Sequence, residues 1–329
     1  MSLPATRVAV VGVGVMGRHH AQNYLAMPGA TLVAVVDPSA EARDQAARAF
    51  GCAAYATLDE LFASETIDAA SVVAPTSEHY AITRDLLQAG VHVLVEKPVA
   101  TRVLEAEALA RLSRERGLVL QVGHITRFFR AVQLLTERIE SPYLIEARRL
   151  TPSARIQDVG VILDLMIHDI DIVLGLVPSD IASVTIAGHS VEASGTEDVA
   201  AAQIEFENGC IARFLASRIS PDAERSLVVA ERERTHRVDF LRDPHTEIAL
   251  FHARKDDLGD THVRTDRQFV HEDNPLREQL THFLDRITAA APPVGTLEDD
   301  LRSLRVATRL LENLKPSAVP EAVFEAQVN

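Results

Sequence analysis

The feature that most restricts this chain lies within its first forty residues. A β-rich run, Arg7–Gly12, leads into Gly12-Val13-Gly14-Val15-Met16-Gly17, and a helical stretch, Met16–Ala26, follows at once. The glycines read G-x-G-x-x-G, a spacing that is weak alone. Here it sits between a strand and a helix, and Asp37 stands 20 residues past Gly17 at the end of a second β-rich run, Thr31–Val36. Gly12 permits the tight turn, Gly14 lets the backbone approach a pyrophosphate, and Gly17 lets helix and strand pack closely. Val15 and Met16 open the helix, whose first N–H groups and positive dipole end face the phosphates. Asp37 can accept hydrogen bonds from the ribose hydroxyls, and a 2′-phosphate there would meet a like charge, so NAD is expected rather than NADP. The alternative, a glycine-rich turn without a nucleotide, does not account for strand, spacing and acid together.

The pattern continues through residue 123. Further candidate strands are Ala69–Ala74, Val91–Val95 and Leu118–Gly123, and further helices lie near Ala40–Phe50, Ser77–Ala89 and Arg102–Arg116. Gly51, Gly90 and Gly117 stand just past three helices, where a left-handed residue is common. Alternating strands and helices predict an α/β unit, a doubly wound parallel sheet of Rossmann type, over residues 1–123.

The second half has a helix near Phe128–Ile139, a strand Tyr143–Leu150 and a helix Val161–Leu176. The strands Ile181–Gly188, Val199–Phe206, Cys210–Ser217, Ser226–Glu231 and Thr235–Phe240 then follow in succession. Asn208-Gly209 supplies a two-residue hairpin turn. This predicts an α+β domain over residues 124–329 with an open, largely antiparallel sheet. A helix near Pro275–Ala289 is expected to pack on that sheet, and a last helix is expected near Leu297–Leu314.

At 329 residues the chain is long enough for about two domains at roughly 100–200 residues each. The formal net charge of −14 disfavours nucleic acid and anionic membrane as partners. No apolar run approaches the length of a membrane span. Cys52 and Cys210 offer neither a disulfide framework nor metal-ligand spacing, which fits a reducing, cytoplasmic setting with no metal.

Glu96-Lys97-Pro98 follows the strand Val91–Val95, whose C-terminal end lies on the ligand side of such a sheet. A lone lysine there reads most simply as an exposed loop residue. The ordered set is more specific: the glycine fingerprint, then Val73-Ala74-Pro75-Thr76-Ser77-Glu78-His79-Tyr80, then Glu96-Lys97-Pro98. It resembles the Gfo/Idh/MocA oxidoreductase family over nearly the whole chain. The resemblance implies that Lys97 lies beside the nicotinamide and the substrate, that the Lys97–Pro98 bond is cis, and that Pro75, Thr76, His79 and Glu96 belong to the cofactor site. It also implies a homodimer or homotetramer formed through the second sheet.

The helix Val161–Leu174 is apolar nearly all round, as in buried helices, yet carries Asp164 and His168 one turn apart, with Asp171 continuing the stripe. Burying such groups is costly unless they are paired or perform chemistry. A self-satisfying structural pair is one reading. The resemblance supplies the other, an Asp-x-x-x-His motif facing Lys97. In that reading His168 is the leading general acid/base, Asp164 orients its ring, and Lys97 contacts the reacting oxygen or shares in proton transfer. Either His168 or Lys97 suits the immediate base.

Residues 124–155 carry six arginines, 127, 130, 138, 148, 149 and 155, against three acids, locally +3. Arginine suits phosphate recognition, although a solvated stripe reads equally well. The segments Gln121–Phe128, Glu146–Leu150 and Asp158–Val161 resemble the nucleotide-sugar branch of the family, acting at C3 of UDP-N-acetylglucosamine. The chain departs from that pattern at Phe129-Arg130. The implied substrate contacts are Lys97, Gln121, Arg127, Arg149, Arg155, Asp164 and His168. The other readings are a dehydrogenase of a free polyol or sugar such as inositol or glucose, and a non-catalytic dinucleotide-binding regulator.

Overall fold

The structure is a computed structural model that describes residues 4–152, 158–191, 195–241, 245–255, 261–271 and 274–315. Its Cα packing forms two units, one comprising the chain to Phe128 with Asn274–Leu301, the other Phe129–Asp273 with the chain from Arg302.

In the first unit, short apolar runs without alternation form a sheet buried on both faces, the pattern of a parallel sheet covered by helices. In chain order the elements are β1 (Thr6–Val11), α1 (Val15–Leu25), β2 (Ala30–Val36), α2 (Ala40–Phe50), β3 (Ala53–Tyr55), α3 (Leu58–Ser64), β4 (Ala69–Val72), α4 (His79–Gln88), β5 (His92–Glu96), α5 (Val103–Arg116) and β6 (Leu120–Gly123). All strand pairs are parallel, in the order β3-β2-β1-β4-β5-β6. This is a doubly wound sheet whose order reverses between β1 and β4, where such sheets bind ligands at the C-terminal ends of their strands. Gly51, Gly90 and Gly117 have φ of 67°, 83° and 64°, as their positions past helices predict.

In the second unit, α6 (Arg130–Arg138) precedes β7 (Leu144–Leu150), and a π turn, Ile162–Met166, runs into α7 (Ile167–Leu176). The strands β8 (Ile181–His189), β9 (Val199–Phe206), β10 (Ile211–Ser217), β11 (Glu224–Ala230), β12 (Arg234–Asp239), β13 (His245–Lys255) and β14 (Thr261–His271) follow. They make an eight-stranded sheet ordered β14-β13-β12-β11-β7-β10-β9-β8, antiparallel throughout except for the β7–β10 pair. The β9–β10 hairpin turns at Asn208-Gly209, with φ 86° at the glycine.

The division differs from a single cut at residue 123. The first unit extends to Phe128 and regains the chain at Asn274. The reason is α8 (Pro275–Thr288), expected on the antiparallel sheet. Its buried Leu276, Leu280, Phe283 and Leu284 instead complete the core of Val8, Val10, Tyr24 and Val35. Asn274 caps this helix by accepting a hydrogen bond from the Arg277 N–H at 2.9 Å, with Pro275 in its first turn. The last helix, α9 (Leu297–Asn313), gives its start to the first unit and the residues from Arg302 to the second.

Candidate active site

The glycine turn shows in coordinates what its spacing implies. Gly12 has φ 88°, and a Cβ there would lie 2.6 Å from the Val73 carbonyl oxygen. A Cβ on Gly17 would collide with the Gly12 carbonyl oxygen, whereas one on Gly14 would meet no atom within 4 Å. Gly14 is also the N-cap of α1, with no side-chain cap and no acid in the first turn. The first amide groups of α1, at Val15 and Met16, therefore have no capping side chain and no acid within their own turn. Asp37 is fastened to this turn. Its Oδ2 accepts from the Val13 N–H and its Oδ1 from the Ser39 N–H, each at 2.9 Å. A carboxylate has about four acceptor positions, so both oxygens keep capacity for ribose hydroxyls. These residues fit a dinucleotide.

The ends of β4 and β5 complete this region of the first unit. Pro75 is exposed and Thr76 buried. The Lys97–Pro98 bond is cis, as the resemblance implies, and Lys97 is half-buried. Glu96 turns back to α1, where His20, fully buried, donates from Nε2 to Glu96 Oε1 at 3.2 Å. Burial tends to raise the Glu96 pKa. The His20 hydrogen bond, with the electrostatic influence of His20, Lys97 and His79, outweighs it and holds the carboxyl below its usual range. His79 is buried, and its ring lies between two carbonyl oxygens, Nδ1 at 2.8 Å from Pro98 and Nε2 at 2.9 Å from Ala74.

In the second unit the acidic helix is buried as its composition demands. Asp164 lies on the π turn and is 9% exposed, while His168 is half-buried in the first turn of α7. A π turn accommodates an extra residue and is frequent at functional sites. The sequence pattern predicts one continuous helix and does not reveal this turn. Glu197 anchors its start, its Oε1 accepting from the Ile162 N–H at 2.9 Å. A Cβ on Gly160 would overlap that carboxylate. Asp171 is buried and its Oδ1 accepts from Ser303 Oγ at 2.9 Å.

The arginines of 124–155 are dispersed. Arg149, on β7, grips Asp169 of α7 through Nε at 3.0 Å and Nη2 at 2.6 Å, both side chains being nearly inaccessible. Arg127 pairs with Asp300 at 2.8 Å within the first unit. There Gln121 donates to the Gln279 carbonyl and accepts from Arg286. Arg130 and Arg148 meet Glu137 and Glu224, and Arg138 meets Gln268. Gln121, Arg127 and Arg149 are therefore engaged within their own units, and Arg155 lies outside the described residues. The structure adds Arg225, which no motif in the sequence marks. It stands opposite Arg149 in the β7–β11 register. Burial, then the Arg149 charge, lowers its pKa to about 10 against the opposing pull of Asp169.

Two family descriptions match the chain. Residues 6–124 match an oxidoreductase family with an NAD-binding Rossmann fold, and residues 137–236 match the Gfo/Idh/MocA C-terminal domain. UDP-N-acetylglucosamine 3-dehydrogenase of Acidithiobacillus ferrooxidans is 36% identical over 87% of this chain and 90% of its own length. A solved structure of that enzyme, GnnA, superposes with a TM-score of 0.84 at 33% identity, covering 95% of this chain and 98% of the other. The NAD(+)-dependent scyllo-inositol 2-dehydrogenase of Bacillus subtilis is 32% identical over 94% of this chain and 95% of its own.

Proposed function

Because the chain belongs to the Gfo/Idh/MocA family of NAD-binding oxidoreductases, we propose that it oxidises the C3 hydroxyl of a UDP-N-acetylhexosamine. That it is an NAD-dependent dehydrogenase acting on a secondary hydroxyl of a sugar follows from the family and its dehydrogenase relatives. The nucleotide-sugar reading is supported by the 36% identity with the Acidithiobacillus enzyme over most of both chains. A polyol of the inositol type is the second reading, favoured by the Bacillus relative. Lys97 and His168, both present, weigh against a regulator without activity.

Bound NAD supplies the hydride acceptor. The first unit binds it through the amides of the Gly12–Gly17 turn, with Asp37 toward the adenosine ribose and Pro75 and Thr76 beside the dinucleotide. Lys97 hydrogen-bonds the reacting oxygen and stabilises the charge that develops as the proton leaves. His168 takes that proton. Asp164 orients the imidazole, a role carboxylates commonly take with a working histidine. Arg127, Arg149 and Gln121 hold elements in place. Self-association as a dimer or tetramer is assigned to the outward face of the eight-stranded sheet, where the Arg148–Glu224 and Arg213–Glu146 pairs lie.

The decisive assay follows nicotinamide reduction with NAD and, separately, UDP-N-acetylglucosamine, UDP-N-acetylgalactosamine, inositol and glucose. Turnover of inositol without turnover of either nucleotide sugar overturns the C3 assignment. Lys97→Ala and His168→Ala each lower turnover by about 10²–10⁴, the usual share of acid–base groups, while NAD binding persists. Wild-type rates in both variants remove their roles.

A further inference from the structure

Lys97 follows a residue held by one buried histidine and precedes a residue held by another. On one side, Glu96 is bound by His20 of α1. On the other, His79 is 1% exposed and bridges the carbonyls of Pro98 and Ala74. Those two oxygens belong to different loops. Ala74 precedes Pro75 and Thr76 after β4, while Pro98 closes the peptide after Lys97 at the end of β5.

We propose that His79 is a positioning residue that ties the cofactor-side loop after β4 to the backbone presenting Lys97, and so sets where the lysine amine stands relative to the bound dinucleotide. The proposal rests on reading Lys97 as the working lysine. A carbonyl oxygen only accepts, so each contact requires an N–H from the ring. A neutral imidazole donates to one oxygen and a doubly protonated imidazole to both. Only the doubly protonated ring ties both loops at once; the neutral ring holds one loop by its N–H and sets the other by the ring's rigid width alone. Burial, the largest influence, pulls the His79 pKa below its ordinary value. The two carbonyls and Glu96 oppose this, and Lys97 adds to it. His79 thus belongs to the cofactor region without offering either nitrogen to the cofactor.

A merely structural histidine would affect stability alone. A positioning histidine affects the chemical step, since a misplacement of about 1 Å can cost roughly 10²-fold in rate. The test compares wild type, His79→Phe, His79→Gln, Lys97→Ala and the double variant Lys97→Ala/His79→Phe. The readouts are NAD affinity by calorimetry, thermal midpoint, kcat and KM for the sugar, and the primary deuterium isotope effect on the oxidised C–H. Phenylalanine fills the space without a donor, and glutamine restores an N–H donor group, its amide NH2. The expected result is a kcat about 100-fold down in His79→Phe, partial recovery in His79→Gln, NAD affinity near wild type, and a larger isotope effect as hydride transfer becomes limiting.

If His79 acts through Lys97, adding His79→Phe to Lys97→Ala costs little more; fully additive losses overturn the proposal. So does a folded His79→Phe enzyme with wild-type kcat. If His79→Phe does not fold, His79→Gln carries the same comparisons against Lys97→Ala. Wild-type turnover in Lys97→Ala itself defeats the reading of the lysine, and with it any claim that His79 acts through that residue.

Discussion

Methionine at position 149 would keep most of the aliphatic stem of Arg149 and remove its guanidinium. Asp169, 5% exposed, would lose both of its arginine contacts, at 3.0 and 2.6 Å. Breaking a buried pair from one side costs about 3–5 kcal/mol, because an uncompensated charge remains buried. Arg225, across the β7–β11 register, is electrostatically coupled to Asp169 and offsets part of that, which places the expectation near 3 kcal/mol. The assay is urea unfolding, with the transition of the second unit followed separately, since a chain of two units need not unfold in one step. Arg149→Met/Asp169→Leu should recover most of the loss, because replacing both partners removes the buried charge. Arg7→Met is the control. Arg7 and Asp68 share an equally bidentate geometry, with contacts at 3.0 and 2.7 Å, but the side chains are 45% and 39% exposed. Its expected cost is small beside that of Arg149→Met, because water screens an exposed pair. If Arg149 instead binds a substrate phosphate, Arg149→Met leaves the urea midpoint unchanged and raises KM for the nucleotide sugar by about 10–100-fold, the worth of one charge-assisted hydrogen bond. That result would refute the structural account of Arg149.

Asp37→Ser should weaken NAD binding and narrow its margin over NADP, because the like charge facing a 2′-phosphate is gone; the ratio of kcat/KM for the two cofactors checks this. Gly12→Ala forces a side chain into φ 88° and against the Val73 carbonyl. It should cost more than about 1 kcal/mol of thermal stability and abolish dinucleotide binding measured by calorimetry. The depressed Glu96 pKa makes a prediction with a definite sign. The stabilisation is fully present above the ordinary carboxylate range, and it is lost as pH falls through the lower folded-state value. In a comparison of thermal midpoints with falling pH, Glu96→Gln should flatten that part of the acid limb, and an unchanged limb would remove the His20–Glu96 contact from the account.

How much was legible in the sequence depended on whether a signal was local. The glycine turn, Asp37 and the buried strands are local patterns, and their element positions hold within a few residues. β3 and α3 show no period in the sequence, because a three-residue strand and a seven-residue helix are too short to carry one. A start signal for α3 was nonetheless present in Thr57-Leu58-Asp59-Glu60: Thr57 accepts from the Glu60 N–H at 3.2 Å, and the Glu60 carboxylate reaches back to the Ala56 N–H at 2.9 Å. The hairpin β13–β14 was invisible for a different reason. Most of the β14 side chains are exposed, so neither face carries an apolar alternation, and only pairing with β13 identifies the strand. The apolar stripe of α8 was readable, but not which sheet would receive it.

The arginine-rich segment shows why a charge counted along the chain is a poor guide to a field in space. Residues 124–155 sum to +3, yet their arginines belong to two units and meet acids far away in sequence: Arg127 with Asp300, Arg148 with Glu224, Arg149 with Asp169. A buried carboxylate must be matched or it is costly, and arginine matches it best because its planar fork binds both oxygens at once. The same property that makes arginine a phosphate ligand makes it the preferred clamp for an interior acid, so its presence near a proposed site does not discriminate between the two. What discriminates is the partner. The buried acids Asp169, Asp198 and Asp300 each hold an arginine, Arg149, Arg218 and Arg127. Recognition of a nucleotide sugar, if it uses guanidinium groups, must therefore draw on cations whose carboxylate partners are weak or distant. The local density of arginine in the sequence does not reveal which ones those are.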